Sequence, residues 1–190
     1  MTRMNLDRYA IDYQEAVNVL LNDKTWKRDF TVYPIIFLYR HYIELKLKEI
    51  ILHSWEFLEI SRPFPKGHKV YQLWNICRKC LIEIDKQVDP GFAQSREYVE
   101  QITGAYDALQ ADINRFAEID PDSQHFRYPV DKHGNPITID NKLLAKLQRE
   151  LPKLVKRISY NLDGISTGVY TILQDKYDGL SQSHQVDPAG

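Results

Sequence analysis

Residues 37–48, FLYRHYIELKLK, constrain the fold most tightly, because they set Arg40, His41, Glu44 and Lys48 inside a segment whose apolar residues follow a helical period. Ile36, Ile43, Leu47, Ile50 and Ile51 recur every three to four positions, the spacing of a stripe that faces a core. Arg40, Glu44 and Lys48 fall four apart and so form one ladder along the same helix. Buried ionisable groups are costly unless paired. The ladder is therefore either a solvated face carrying ordinary ion pairs or the wall of a crevice between helices. Arg40 and His41 are adjacent and point about 100° apart, so a single crevice does not take both.

The same period recurs along the chain and predicts five helices. The first, over 5–22, carries Tyr9, Tyr13, Ala16, Val17 and Leu20 on one face. The second, over 34–59, is expected to take Thr31 as its cap and Pro34 in its first turn, where a missing N–H loses no partner. The loop SRPFPKG at 61–67 precedes a third helix over 68–86, with Leu73, Trp74, Cys77, Leu81 and Ile84 inward. After Asp89-Pro90-Gly91, a fourth over 95–119 follows the stripe Tyr98, Val99, Ile102, Tyr106, Leu109, Ile113 and Phe116. The last, over 141–177, is expected to be capped by Asp140 and bent or divided by Pro152, and Gly164 and Gly168 leave room on it for another backbone. Between the last two helices PDSQHFRYPVDKHGNPITID lacks the period. It predicts two short extended runs about a Lys132–Asn135 turn with Gly134 at its tip.

The expected architecture is an all-α, up-and-down helical bundle of one domain over 1–178, with a small hairpin insertion and a flexible tail over 179–190. A chain of 190 residues with 43% hydrophobic content can bury one such core. Its net charge of −1 supplies no overall field toward nucleic acid or an acidic membrane, so any RNA contact must come from a local patch. The opening MTRMNLDRYAIDYQEA has no apolar signal core, and no window reaches the length of a membrane span, which predicts a cytoplasmic protein without membrane contact. Cys77 and Cys80 sit C-x-x-C in a helical apolar period with no second ligand pair, so they are expected to be plain core or surface thiols. No ligand pair on a helix and no glycine-rich phosphate loop points to a metal or a cofactor. The twelve tyrosines and Trp26, Trp55 and Trp74 are expected in the core and at interfaces, since no basic stripe interleaves with them.

FLYRHYIELKLKEII followed by KGHKVYQLW resembles the helix pair of HEPN domains, in which an aromatic-rich helix with a Glu and a Lys four apart leads to a Gly-His that opens the next helix. FRYP at 126–129 is in keeping, and the similarity covers roughly residues 34–130. It implies an all-helical bundle, usually dimeric, in bacterial toxin, abortive-infection or nucleotide-linked systems. Catalytic members are metal-independent ribonucleases whose signature is an Arg, four to six residues, then a His. Arg127 and His133 have that spacing, as do Arg62 and His68. In such a site the His moves a proton at the ribose 2′-OH or the leaving 5′-oxygen, and the Arg offsets charge on the phosphorane-like transition state.

Pro129 and the Gly-Asn turn that follows separate Arg127 from His133, which argues against catalysis. The expected role is a homodimeric interaction or regulatory module in bacterial stress or phage defence, associated with RNA or a nucleotide and with a cognate protein as a further partner. The alternative is a metal-independent ribonuclease using Arg127 and His133. A polar crevice of Arg40, His41, Glu44, Lys48, His68 and Tyr128 is the other candidate site. His68 is expected to cap or pack at its helix start, or otherwise to donate to the polar row. Glu44 is expected to accept a bidentate bond from Arg127, a structural latch that leaves His133 turned to solvent.

Overall fold

The computed structural model describes residues 6–23, 31–119, 133–135 and 141–183. Among them all regular structure is helical. It comprises α1 (Leu6–Asn22), α2 (Val32–Phe57), α3 (Val70–Val88), α4 and α5 (Asn141–Ser183). Helix α4 is built from one α-turn (Arg96–Tyr98), a π-helical stretch (Val99–Thr103) and a regular segment (Gly104–Ile119). The periodicity therefore predicts the all-α class and the five helices. Of the expected hairpin only the turn His133–Asn135 is described, where Gly134 takes the left-handed φ of 82° that such a tip needs. The rest of it, with Asp140, lies outside the described residues. No helix among the described residues is long and apolar enough to cross a membrane.

Helix α2 is the axis of the bundle. Helices α1, α3 and α5 each pack on it, and α4 bridges α3 and α5. It is consequently apolar nearly all round, with Ile35, Ile36, Tyr39, Tyr42, Ile43, Leu47, Ile50 and Ile51 shut off from solvent. Thr31 stands at the N-cap, but its backbone is already helical and its side chain makes no capping bond, contrary to expectation. The C-terminus closes by a Schellman arrangement in which Ile60 N–H reaches Trp55 O at 2.8 Å and Glu59 N–H reaches Glu56 O at 3.3 Å. Glu59 holds the left-handed position, φ 56°, where glycine is usual. Lys176 of α5 secures this end, donating to Phe57 O and to the Glu59 carboxylate, both at 2.7 Å.

Helix α5 departs from the sequence reading at two points. Its 43 residues, about 64 Å at 1.5 Å per residue, cross Pro152 without division. Leu147, Leu151, Leu154 and Val155 are buried on both sides of the proline, and Arg157 grips Asp112 of α4 through two bonds of 2.8 and 2.7 Å. Packing on this scale overrides the single N–H that proline lacks. The helix also runs to Ser183, beyond the expected end at 177, because Lys176 and Tyr177 fasten its last turns to α2. No atom of another element comes within contact of a side-chain carbon built at Gly164 or Gly168, so neither serves a close backbone approach among the described residues.

Ser95 caps α4, accepting from Tyr98 N–H at 3.0 Å. The π stretch that follows adds a residue to the turn and shifts the stripe. Tyr98 is buried, whereas Val99, expected inward, is 59% exposed. Tyr98 and Tyr106 both donate to Asp85 of α3, at 2.9 and 3.2 Å. Burial and that carboxylate push the Tyr98 hydroxyl up to about 12. Cys77 and Cys80 are free buried thiols, raised by burial above the ordinary cysteine value and so poorly reactive.

Candidate functional site

The ladder on α2 lines a crevice closed by the loop before α3. Arg40, Glu44 and Lys48 are all buried, one turn apart, on the face that meets this loop. Lys48 Nζ donates to Glu44 Oε1 at 2.8 Å, and His68 Nδ1 reaches the same oxygen at 2.9 Å. Arg40 donates to the His68 carbonyl and stands 4.0 Å from Glu44 Oε2, which accepts no hydrogen bond among the described residues. Lys48 also sits 5.3 Å over the Phe64 ring, a cation on an aromatic face of the same loop. The row thus holds the α2–α3 connection at its carbonyl, its imidazole and its phenyl ring.

Burial pushes the Glu44 carboxyl upward, but the bonds from Lys48 and His68 outweigh it and hold the group below the usual carboxylate value. An ionised Glu44 fixes the imidazole proton on Nδ1, leaving Nε2 as the ring's other working nitrogen. The His68 side chain is 64% exposed, although its partner is not. It neither caps nor packs at the helix start, since α3 begins at Val70 behind an N-cap Lys69 with no side-chain bond. It joins the polar row instead.

Other predicted site residues fall elsewhere. His41 turns toward α1, where it stacks on Tyr13 at 5.3 Å and shares a 3.0 Å bond with Phe37 O, so it does not belong to the crevice. His133 occupies an exposed turn. Arg127 and Tyr128 lie outside the described residues, and the Arg127–Glu44 latch with them. Among the described residues no cluster of three or more His, Cys, Asp or Glu is arranged to hold a metal.

A second charged cluster on α2 escapes the sequence reading. Lys46, buried on the face toward α1 and α5, donates to Asp7 at 2.5 Å and to Glu49 at 3.2 Å, and lies 3.7 Å from Asp163. Tyr42 donates to Asp163 at 2.9 Å, and Tyr39 donates to Val155 O at 2.8 Å. Burial drives the Glu49 carboxyl up and, with the help of Asp7, prevails over the opposing pull of Lys46. Beside this pair opens a cavity of about 560 Å³, lined by Asp7, His53, Ser166 and Tyr170 among others. The signal that reveals the cluster is the helix itself: on a segment apolar on every side, each ionisable residue must face a neighbour.

No family model, curated protein or solved structure matches this chain. The chemistry of the two clusters therefore rests on their geometry.

Proposed function

We propose that the protein is a HEPN-like helical module that works by binding and regulation rather than by catalysis, as a homodimer in a bacterial stress or phage-defence system associated with RNA or a nucleotide. The observation that carries the non-catalytic reading is the condition of Glu44. It is buried and ionised, and its Oε1 accepts from both Lys48 and His68, which supports a row that serves to hold the loop before α3. The resemblance of the α2 and α3 segments to HEPN domains supplies the setting. Tyr9 and Val19 of α1 and Tyr170 and Leu180 of α5 leave apolar surface exposed, which supports a second copy as partner.

The test is incubation of the purified chain with labelled RNA in chelator, with light scattering at tens of micromolar. No cleavage and a dimer mass are expected. Metal-free cleavage abolished by Arg127→Ala overturns the reading, and a monomer removes the dimer from it.

A second reading, metal-independent ribonuclease, is favoured by one feature. His68 is an exposed imidazole oriented by a buried carboxylate, with Arg40 and Lys48 behind it, an arrangement suited to moving a proton beside a phosphate. Cleavage lost in His68→Ala but kept in Arg127→Ala places the chemistry at this row.

A further inference from the structure

The first half of α5, NKLLAKLQRELPKLVKRISY, carries six cations and one acid in a chain whose net charge is −1. Lys142, Lys146, Arg149, Lys153 and Lys156 alternate four and three residues apart, which aligns them on one face of the helix, and Tyr160 continues the series. All six are exposed, Tyr160 by 80%. The remaining cation, Arg157, is engaged with Asp112. Arg149 meets its neighbour Glu150 at 3.0 Å, whereas Lys142, Lys153 and Lys156 have no carboxylate within ion-pair distance among the described residues. No aromatic interleaves with these cations, and Tyr160 stands at the end of their row.

Helix stability does not account for it. The first turn of α5 holds Lys142 and no acid, although the positive end of a helix disfavours cations. Lys142 and Lys146, and Arg149 and Lys153, are like charges four apart, a spacing that destabilises a helix. Among the described residues Glu150 alone offsets the row, and local rules broken with so little compensation point to a partner for it.

We propose that this stripe grips the phosphate backbone of a single-stranded nucleic acid. Successive cations rise by about 5 Å, and the five span about 21 Å of axis at 1.5 Å per residue, a regular row for a regularly charged polymer. Tyr160 at its end offers a face on which a base stacks. Lys146 and Lys153 border a groove of about 690 Å³ between α4 and α5, lined also by Glu118 and Glu150, in which the 42%-exposed Leu143 gives a splayed base an apolar contact. An acidic membrane fits less well, because Leu147, Leu151, Leu154, Val155 and Ile158 of this half of the helix are buried in the bundle and Leu143 is the main aliphatic side chain left exposed beside the row. Phosphate contacts and one stacked ring read neither sugar nor sequence, so RNA and DNA strands bind alike. None of these residues touches Glu44 or His68, so the fate of this surface is independent of the role of the charged row.

The experiment is fluorescence anisotropy of the full chain with labelled 20-nucleotide oligo-U and oligo-dT, between 50 and 200 mM salt in chelator. Both strands should bind within a few-fold of each other. With about 0.7 counterion released per contact, five contacts give a log–log slope near −3.5, roughly a 100-fold loss of affinity over that range. Replacing both Lys146→Gln and Lys153→Gln should bring the slope to about −2.1. Tyr160→Ala should weaken binding about 5- to 100-fold at unchanged slope. Lys79→Gln, exposed on α3, should change nothing. The proposal fails if neither strand binds at 50 mM salt, if the double variant keeps the wild-type slope with an unchanged melt, if only RNA binds, or if phosphatidylserine vesicles are bound in preference to both strands.

Discussion

The two charged faces of α2 hold the same ingredients in opposite proportion. On one, among the described residues, the carboxylate Glu44 lies among Lys48, His68 and Arg40. On the other, a single lysine, Lys46, serves Asp7, Glu49 and Asp163. Glu44 and Glu49 are equally buried, at 7% and 8% exposure, yet the first is held below the ordinary carboxylate value and the second above it. Depth therefore does not decide the charge of a buried acid on this helix. The number of cations within reach of it does.

Removing the acid from the cation-rich face should have the largest effect. Glu44→Ala leaves Lys48 buried without the carboxylate it bonds and frees the loop that His68 ties down, so a loss of about 3–5 kcal/mol in urea unfolding is expected. A loss below about 1 kcal/mol would mean that Lys48 reaches solvent in the native state, and the contrast between the faces would collapse. Lys46→Met is the matching change on the acid-rich face. Its cost at neutral pH should be smaller, about 2–3 kcal/mol, because Asp7 and Asp163 are each nearly half exposed and Glu49 can relieve the face by taking a proton. Its cost should also shrink on going from pH 7 to pH 5, which Glu44→Ala does not share.

The wild-type pH profile follows from the directions of the shifts. Glu44 is depressed in the fold, so its contribution is present above the unfolded carboxylate value and disappears as pH falls through the lower folded value. Glu49 is raised, so its contribution is complete below the unfolded value and disappears as pH climbs through the higher folded one. Asp85, raised by burial despite the bonds from Tyr98 and Tyr106, acts with Glu49. Stability should therefore rise between pH 7 and about 5 and fall below about 4. Urea midpoints over that range test it, and a maximum at neutral pH would contradict the assignment of Glu49.

The Glu44 face was open to sequence reasoning because all three of its α2 members sit four apart in one helical run, and the Gly67-His68 that follows is close in sequence. Adjacency likewise placed Arg40 and His41 on different faces, as found. The Glu49 face was not open to it. Two of the acids around Lys46, Asp7 and Asp163, come from α1 and α5, and no local spacing reports a partner that tertiary packing delivers. The same limit explains Pro152, where a correct local rule gave way to the buried leucines on either side. The slip of Val99 to the surface has another origin: a period count assumes uniform turns, and nothing in VEQIT announces a π stretch. The basic row on α5 was visible as composition, but a net charge near zero hid it until the exposed face was known.

The smallest expected effect is the sharpest test of the contrast. Glu49→Gln keeps the shape of the side chain and an oxygen that can accept from Lys46 and Ser166, while removing a charge that burial and Asp7 oppose. Lys46 retains Asp7 and Asp163 as counter-charges, so the face is left balanced rather than orphaned. The change should therefore alter stability by about 0.5 kcal/mol or less at pH 7, in either direction, and should flatten the part of the rise toward pH 5 that Asp85 does not supply. Glu44→Gln, the same edit on the other face, removes the acid that Lys48 and His68 both bond and should cost clearly more. Measured side by side in urea, two equal losses would show that each acid is needed for its hydrogen bonds alone, and the ratio of cations to acids would cease to explain why two equally buried glutamates on one helix carry opposite shifts.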